Sequence, residues 1–279
     1  MKLLYPWFFI IPILLFSCTI DANEIEPEWT SRFIKINGVR LHVLQTSGKG
    51  TRMVLAHGGI SNATKCWGEL AHMFRKEYAI TMYDARGHGD SQRAGTNYTL
   101  QDHASDLMGL IQTLHIKKPI LIGHSMGSYA TLLTAATHPK VPQAVILIDP
   151  MLRLFPSQND AKAIESFEHW AHNVKQDFLT LFEQQSDLIK KVDIHSLSVI
   201  DHIAALRLEN FASYFPKIPC PILIISADAG MEQKERERKF LKPFPNIQLI
   251  HMANAGHVVH RDCPKQTVEA IFSFLDKLK

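Results

Sequence analysis

The sequence predicts an α/β domain built on a mostly parallel sheet flanked by helices, with a helical cap inserted late in the chain. Three observations point there. First, near-continuous apolar runs at residues 53–56, 79–83, 119–122, 144–148, 222–225 and 247–252 alternate with helical stretches. Strands apolar along their whole length belong to parallel sheets covered on both faces. Second, the run ending at Ile122 leads directly into Gly123-His124-Ser125-Met126-Gly127, and a small-residue, helix-prone stretch follows at residues 129–137. That is a strand, a sharp turn and a helix. Third, the strand–helix rhythm stops between residues 151 and 217. There Ile164, Phe167, Trp170, Val174, Phe178, Leu181 and Phe182 recur at helical spacing on one broad face.

The chain begins differently from the rest. Lys2 precedes an apolar stretch from residue 3 to 16, broken only by Pro6 and Pro12, and Ser17 and Cys18 follow. The stretch is too short for a spanning helix and has the length of a signal-peptide core. Leu15-Phe16-Ser17-Cys18 resembles a bacterial lipoprotein box, which implies a lipidated Cys18 and membrane anchoring. Plain secretion and a retained anchor remain open beside it. Export to the cell envelope or beyond is the expectation either way, with residues 1–18 as leader and 19–30 as an acidic linker.

Residues 32–36 and 40–46 alternate apolar and polar around Asn37-Gly38, the pattern of a hairpin with a two-residue turn. A first stretch of core is expected over 31–150, the cap over 151–217, and the remaining core over 218–279. A helix over residues 100–114, with Leu107, Leu110, Ile111 and Leu114 on one face, feeds the elbow strand. The charge run at residues 234–239 reads as a solvated helix face. The chain has 279 residues, 46% apolar, with a net charge of +3 and no basic run interleaved with aromatics; nothing in that composition calls for a nucleic-acid partner. Its four cysteines, Cys18, Cys66, Cys220 and Cys263, match no zinc spacing or disulfide-dense scaffold. At most one bridge is expected, and spacing does not assign it.

The turn at Ser125 defines the chemistry. A serine held in a strained turn leaves no room for side chains two positions to either side, which Gly123 and Gly127 supply. An ordinary hydroxyl is a weak nucleophile and needs a base. With 15 histidines in the chain, position must discriminate. His257 follows the last strand run and can reach the carboxyl edge of the sheet; His260 is its competitor. His57, His88 and His124 lie in Gly-rich turns or beside the nucleophile, where hydrogen bonding within loops is the expectation. The base needs a carboxylate to fix its tautomer. Asp228 and Asp149 each directly follow a strand run. The chain order Ser, Asp, His with the acid late favours Asp228. The backbone N–H of Met126 is the first oxyanion donor. The second comes from the loop His57-Gly58-Gly59-Ile60, with Gly59 preferred and Ile60 next.

With these residues in view, the chain resembles the α/β-hydrolase superfamily from Phe33 to the end. The elbow pentapeptide, His57-Gly58-Gly59, Asp84-Ala85-Arg86-Gly87-His88-Gly89-Asp90-Ser91, Ile148-Asp149-Pro150 and Gly256-His257 all support the likeness. Ser128 departs from it, since relatives often place a third glycine there. The resemblance implies an eight-stranded, mostly parallel sheet with a helical cap after the sixth strand, and hydrolysis without metal or cofactor. A serine at the elbow, rather than an aspartate, implies acyl chemistry: esters first, with thioesters, lactones, amides or carbon–carbon cleavage of diketones as alternatives. A non-catalytic ligand-binding protein on the same fold is the reading from another class. The substrate expected is a small or lipid-like ester.

Overall fold

Asn37 and Gly38 both adopt positive φ, 48° and 82°, and reverse the chain between β1 (Trp29–Ile36) and β2 (Val39–Thr46). This is the turn whose twist matches a hairpin. The computed structural model describes residues 29–47, 50–184, 186 and 189–278. The expected leader, Cys18 and nearly all of the linker therefore lie outside the described residues.

Six short strands follow: β3 (Arg52–Ala56), β4 (Ala79–Tyr83), β5 (Ile120–His124), β6 (Ala144–Ile148), β7 (Ile222–Ser226) and β8 (Ile247–His251). The sheet has eight strands in the order β1-β2-β4-β3-β5-β6-β7-β8. Pairing is antiparallel from β1 to β4 and parallel from there on, so the mostly parallel α/β sheet expected from the apolar runs is present.

Side chains alternate between two apolar layers, as strand geometry requires. Val54, Leu121, Val145, Leu147 and Ile224 point into one. Met53, Leu55, Ile122, Ile146 and Ile225 point into the other. The first layer is closed by α2 (Leu100–Thr113) and α3 (Met126–Thr137), the second by α1 (Ala63–Phe74) and α9 (Pro264–Asp276). Local chemistry sets where these helices start. The Asn62 side chain accepts the Lys65 N–H at 2.8 Å to cap α1, and Thr99 with Asp102 forms a reciprocal capping box on α2.

Between β6 and β7 the chain forms α4 (Ala161–Glu183), α5 (Ser198–Ala204) and α6 (Leu208–Tyr214) with short 3₁₀ turns. Phe155 packs against both Phe167 of α4 and Phe211 of α6. The charged helix α7 (Met231–Leu241) is not solvated all round as its sequence implies: Glu237 is buried and lies 2.6 Å from His251 Nε2. Its Arg236 donates to the Phe155 carbonyl, which ties the cap to the last strands. The short α8 (Val259–Asp262) completes the elements. Cys66, Cys220 and Cys263 are all free thiols, and no described helix is long and apolar enough to cross a membrane.

One buried ion pair anchors the loop after β4. Arg86 meets Asp106 of α2 through two bonds, Nε to Oδ2 at 2.7 Å and Nη2 to Oδ1 at 2.8 Å, and donates a third to the Asn97 carbonyl. Both side chains are almost wholly out of water. Removing one partner strands a buried charge. Arg86→Met is expected to destabilise the fold by about 3–5 kcal/mol in urea unfolding. A loss below about 1 kcal/mol, the range of exposed pairs, would contradict this reading.

Candidate active site

The site begins with crowding at the elbow. Ser125, between β5 and α3, holds φ 49° and ψ −117°, a conformation an L residue keeps only when its surroundings enforce it. The enforcement is visible on both sides. A Cβ on Gly123 would lie 2.2 Å from the Gly127 carbonyl oxygen, and one on Gly127 would lie 2.0 Å from that of Ala56. Ser128, where a glycine is common, is fully buried, and its hydroxyl lies 2.8 Å from the Gly123 carbonyl and 3.1 Å from that of Ile148. It thus ties the elbow to β6.

His257 enters from the loop after β8. Its Nε2 stands 3.0 Å from Ser125 Oγ and its Nδ1 stands 2.6 Å from Asp149 Oδ2. Because the carboxylate can only accept, the proton of the neutral imidazole sits on Nδ1, and the Nε2 lone pair faces the serine. Asp149 is completely buried, and its second oxygen accepts the Ala227 N–H at 3.1 Å. Its φ of 37° turns the chain sharply at the end of β6, while its own N–H still pairs with the Ile225 carbonyl at 2.7 Å. That turn aims the carboxylate inward, at the imidazole.

This corrects the expectation for the acid. Asp228 does not meet His257. Its carboxylate faces Lys234 at 2.6 Å, accepts the Asn254 N–H at 2.8 Å and accepts the Ala229 N–H at 2.9 Å. Lys234 foremost, with these N–H groups, holds its pKa down to about 2. Its side chain is about one-third exposed, and the Asp228 N–H also donates to the Ala255 carbonyl. Asp228 therefore fastens the loop that carries His257 without touching the ring.

The other histidines divide as their surroundings dictate. His260 is fully buried against Trp67 and Cys66 and does not contact Ser125; burial pushes its pKa down to about 3. His57 accepts the Ala85 N–H on Nε2 at 2.8 Å, so its Nδ1 carries the proton and donates to the Gly58 carbonyl at 2.6 Å. It thus fixes the Gly58-Gly59 loop against the loop after β4. His124 donates from Nε2 to the His257 carbonyl at 3.0 Å, a second restraint on the loop that carries the base. His88 donates from Nδ1 to the Arg86 carbonyl at 2.8 Å, and burial lowers its pKa to about 4.

Ser125, His257, Met126, Gly59 and Ile60 all open onto one cavity of about 250 Å³. The cap supplies most of its apolar wall through Trp170, Val174, Phe178, Leu197, Ile200 and Ile203. Among the described residues, Arg261 is the one lining side chain with a full formal charge. Trp170, Val174 and Phe178 belong to the apolar face that helical spacing marked in the cap, whereas Leu197, Ile200 and Ile203 carried no such signal in the sequence.

Comparison with known proteins bears on the fold and the family. Over 91% of its length the chain is 26% identical to 2-(acetamidomethylene)succinate hydrolase of Mesorhizobium japonicum, covering 98% of that protein. It is 25% identical to the sn-1-specific diacylglycerol lipase ABHD11 of Mus musculus over 70% of this chain and 71% of that one. Among solved structures, an esterase from Exiguobacterium antarcticum superposes with a TM-score of 0.70 at 18% identity, over 88% of this chain and all of that one. Residues 53–270, from β3 into the last helix, match the Alpha/beta hydrolase family, and the chain belongs to that family.

Proposed function

We propose that this hydrolase cleaves carboxylic esters through Ser125, His257 and Asp149. The observation that carries the proposal is the pair of contacts made by one imidazole: 3.0 Å to the serine oxygen and 2.6 Å to a fully buried carboxylate. Ser125 Oγ attacks the substrate carbonyl while His257 Nε2 takes its proton. Asp149 stabilises the imidazolium that forms and keeps its ring in place. The tetrahedral oxyanion is held by the N–H of Met126, at the start of α3, and by that of Gly59. The imidazolium returns its proton to the leaving alcohol, leaving an acyl-enzyme. Water, deprotonated at the same nitrogen, then releases the acid.

The wall chemistry supports an apolar acyl group. A cavity of about 250 Å³ lies near the small end of ligand pockets, which span roughly 300–1,000 Å³. It suits a compact acyl chain better than two long ones. An alkoxide leaves more readily than an amide nitrogen, so esters make the least demand on this relay. The Mesorhizobium relative bears the name of an acetamido substrate, and amide cleavage by the same residues is the second reading.

Hydrolysis of p-nitrophenyl esters of increasing chain length tests both the relay and the pocket. Short to medium chains are expected to turn over fastest. Ser125→Ala and Asp149→Asn are each expected to lower kcat by about 10⁴ or more, whereas Asp228→Asn stays within roughly tenfold because it acts only on the loop. Equal turnover by Ser125→Ala and the parent protein would contradict the mechanism. Turnover of amides or lactones alone, abolished by Ser125→Ala, would keep the relay and change the substrate.

We propose in addition that the protein is exported, on the strength of the leader pattern at residues 1–18. Mass spectrometry of protein from a bacterial host is expected to find a new N-terminus at or near Cys18, diacylated if the lipoprotein reading holds. An intact Met1 on protein recovered from the cytosolic fraction would overturn export, whereas an intact Met1 in the membrane fraction would select the retained anchor.

A further inference from the structure

Three potential ligand atoms converge beside the nucleophile without taking part in the relay. Cys66 Sγ, on α1, lies 3.4 Å from His260 Nε2 and 3.9 Å from His124 Nδ1. All three atoms lie within 4.8 Å of one another, and all three residues are buried. A tetrahedral zinc with its usual bonds of about 2.3 Å to sulfur and 2.0–2.1 Å to nitrogen sets sulfur and nitrogen about 3.5 Å apart. The two measured separations bracket that value.

The protonation pattern also suits an ion. His124 Nε2 donates to the His257 carbonyl, so Nδ1 is left as a lone pair aimed at the sulfur. His260 is held in place by stacking on Trp67, with ring centres 4.8 Å apart. Space in front of His124 is preserved by Gly58, on which a Cβ would lie 2.6 Å from Nδ1. Both Cys66 and His124 reach the wall of the cavity beside Ser125, which gives an ion its way in.

We propose that Cys66, His124 and His260 form an inhibitory binding site for a soft or borderline divalent cation such as zinc. One thiolate and two imidazoles suit such ions, and three protein ligands leave a fourth position open. Binding exchanges the thiol proton for the metal: the S–H bond breaks, a sulfur–metal bond forms, and the proton leaves to solvent. The bound ion then sits on the residue preceding the nucleophile and turns its open position toward the cavity. There it hinders the acyl group and pulls on the ring that restrains His257.

Titration of the untagged protein with cobalt(II), a spectroscopic stand-in for zinc, tests the site without any substrate. Failure there is thus separable from failure of the hydrolytic proposal. One equivalent is expected to produce a thiolate-to-cobalt charge-transfer band, displaced by one equivalent of zinc. Cys66→Ser is expected to abolish the band. His260→Gln is expected to weaken zinc binding by more than the roughly 10- to 100-fold that loss of an outer-shell partner costs. Turnover of the parent protein is expected to fall with the same midpoint as zinc occupancy. Absence of the band, or a band of equal strength in Cys66→Ser arising from Cys220 or Cys263, would overturn the site. Full occupancy with unchanged turnover would overturn its inhibitory role.

Discussion

The backbone contact between α3 and β3 is the constraint on which the rest of the structure depends. Gly127 approaches the Ala56 carbonyl so closely that no side chain fits between them. Gly123 makes the same allowance on the other side of the turn. These approaches hold Ser125 in a conformation it would not keep alone. They also fix the start of α3, and with it the N–H of Met126, against the loop that carries Gly59. The elbow and the loop that carries Gly59 are thereby set by one piece of packing. The strands beneath are apolar on both faces because they must be buried on both, and that burial makes the platform rigid.

From this platform His257 is positioned by several independent restraints. His124, from the elbow itself, holds the His257 carbonyl; Asp228 ties the backbone at Asn254 and Ala255; Asp262 accepts the Gly256 N–H. Asp149 alone meets the imidazole ring at Nδ1. The two aspartates thus act on different parts of the same residue, Asp149 orienting the ring and Asp228 the loop that bears it. A buried carboxylate is costly unless its oxygens are satisfied, and Asp149 is satisfied by the ring and by the Ala227 N–H. Asp228, facing Lys234 and partly in water, has its oxygens engaged elsewhere.

The elbow, its strand and helix, the sheet and the loop histidines were legible because each depends on local pattern. Glycines flank a serine where the backbone needs room, and unbroken apolar runs mark strands with two buried faces. The acid was not legible in the same way. Asp149 and Asp228 both end apolar strands, and the order Ser, Asp, His holds with either one. The distinguishing feature is the positive φ at Asp149, and sequence spacing does not report it. Glu237 was hidden likewise: within a run of charges, only its partners Ser226 and His251 show that it faces inward. His260 and Cys66 lie 194 positions apart, and only the fold brings them together.

The two nitrogens of the His257 imidazole face different groups, one Ser125 and one Asp149, and the proton on Nδ1 reports directly on the second contact. The measurement that tests this best is the low-field proton NMR spectrum, where an imidazole N–H bonded to a buried carboxylate resonates apart from the amides. His42 on Asp84 and His251 on Glu237 also set an imidazole nitrogen against a buried carboxylate. The resonance that reports on His257 is therefore the one expected to persist in Asp228→Asn and to vanish in both Asp149→Asn and His257→Gln while theirs remain. A resonance that survives Asp149→Asn and is lost in Asp228→Asn would contradict the proposed relay and return the acid to the end of β7.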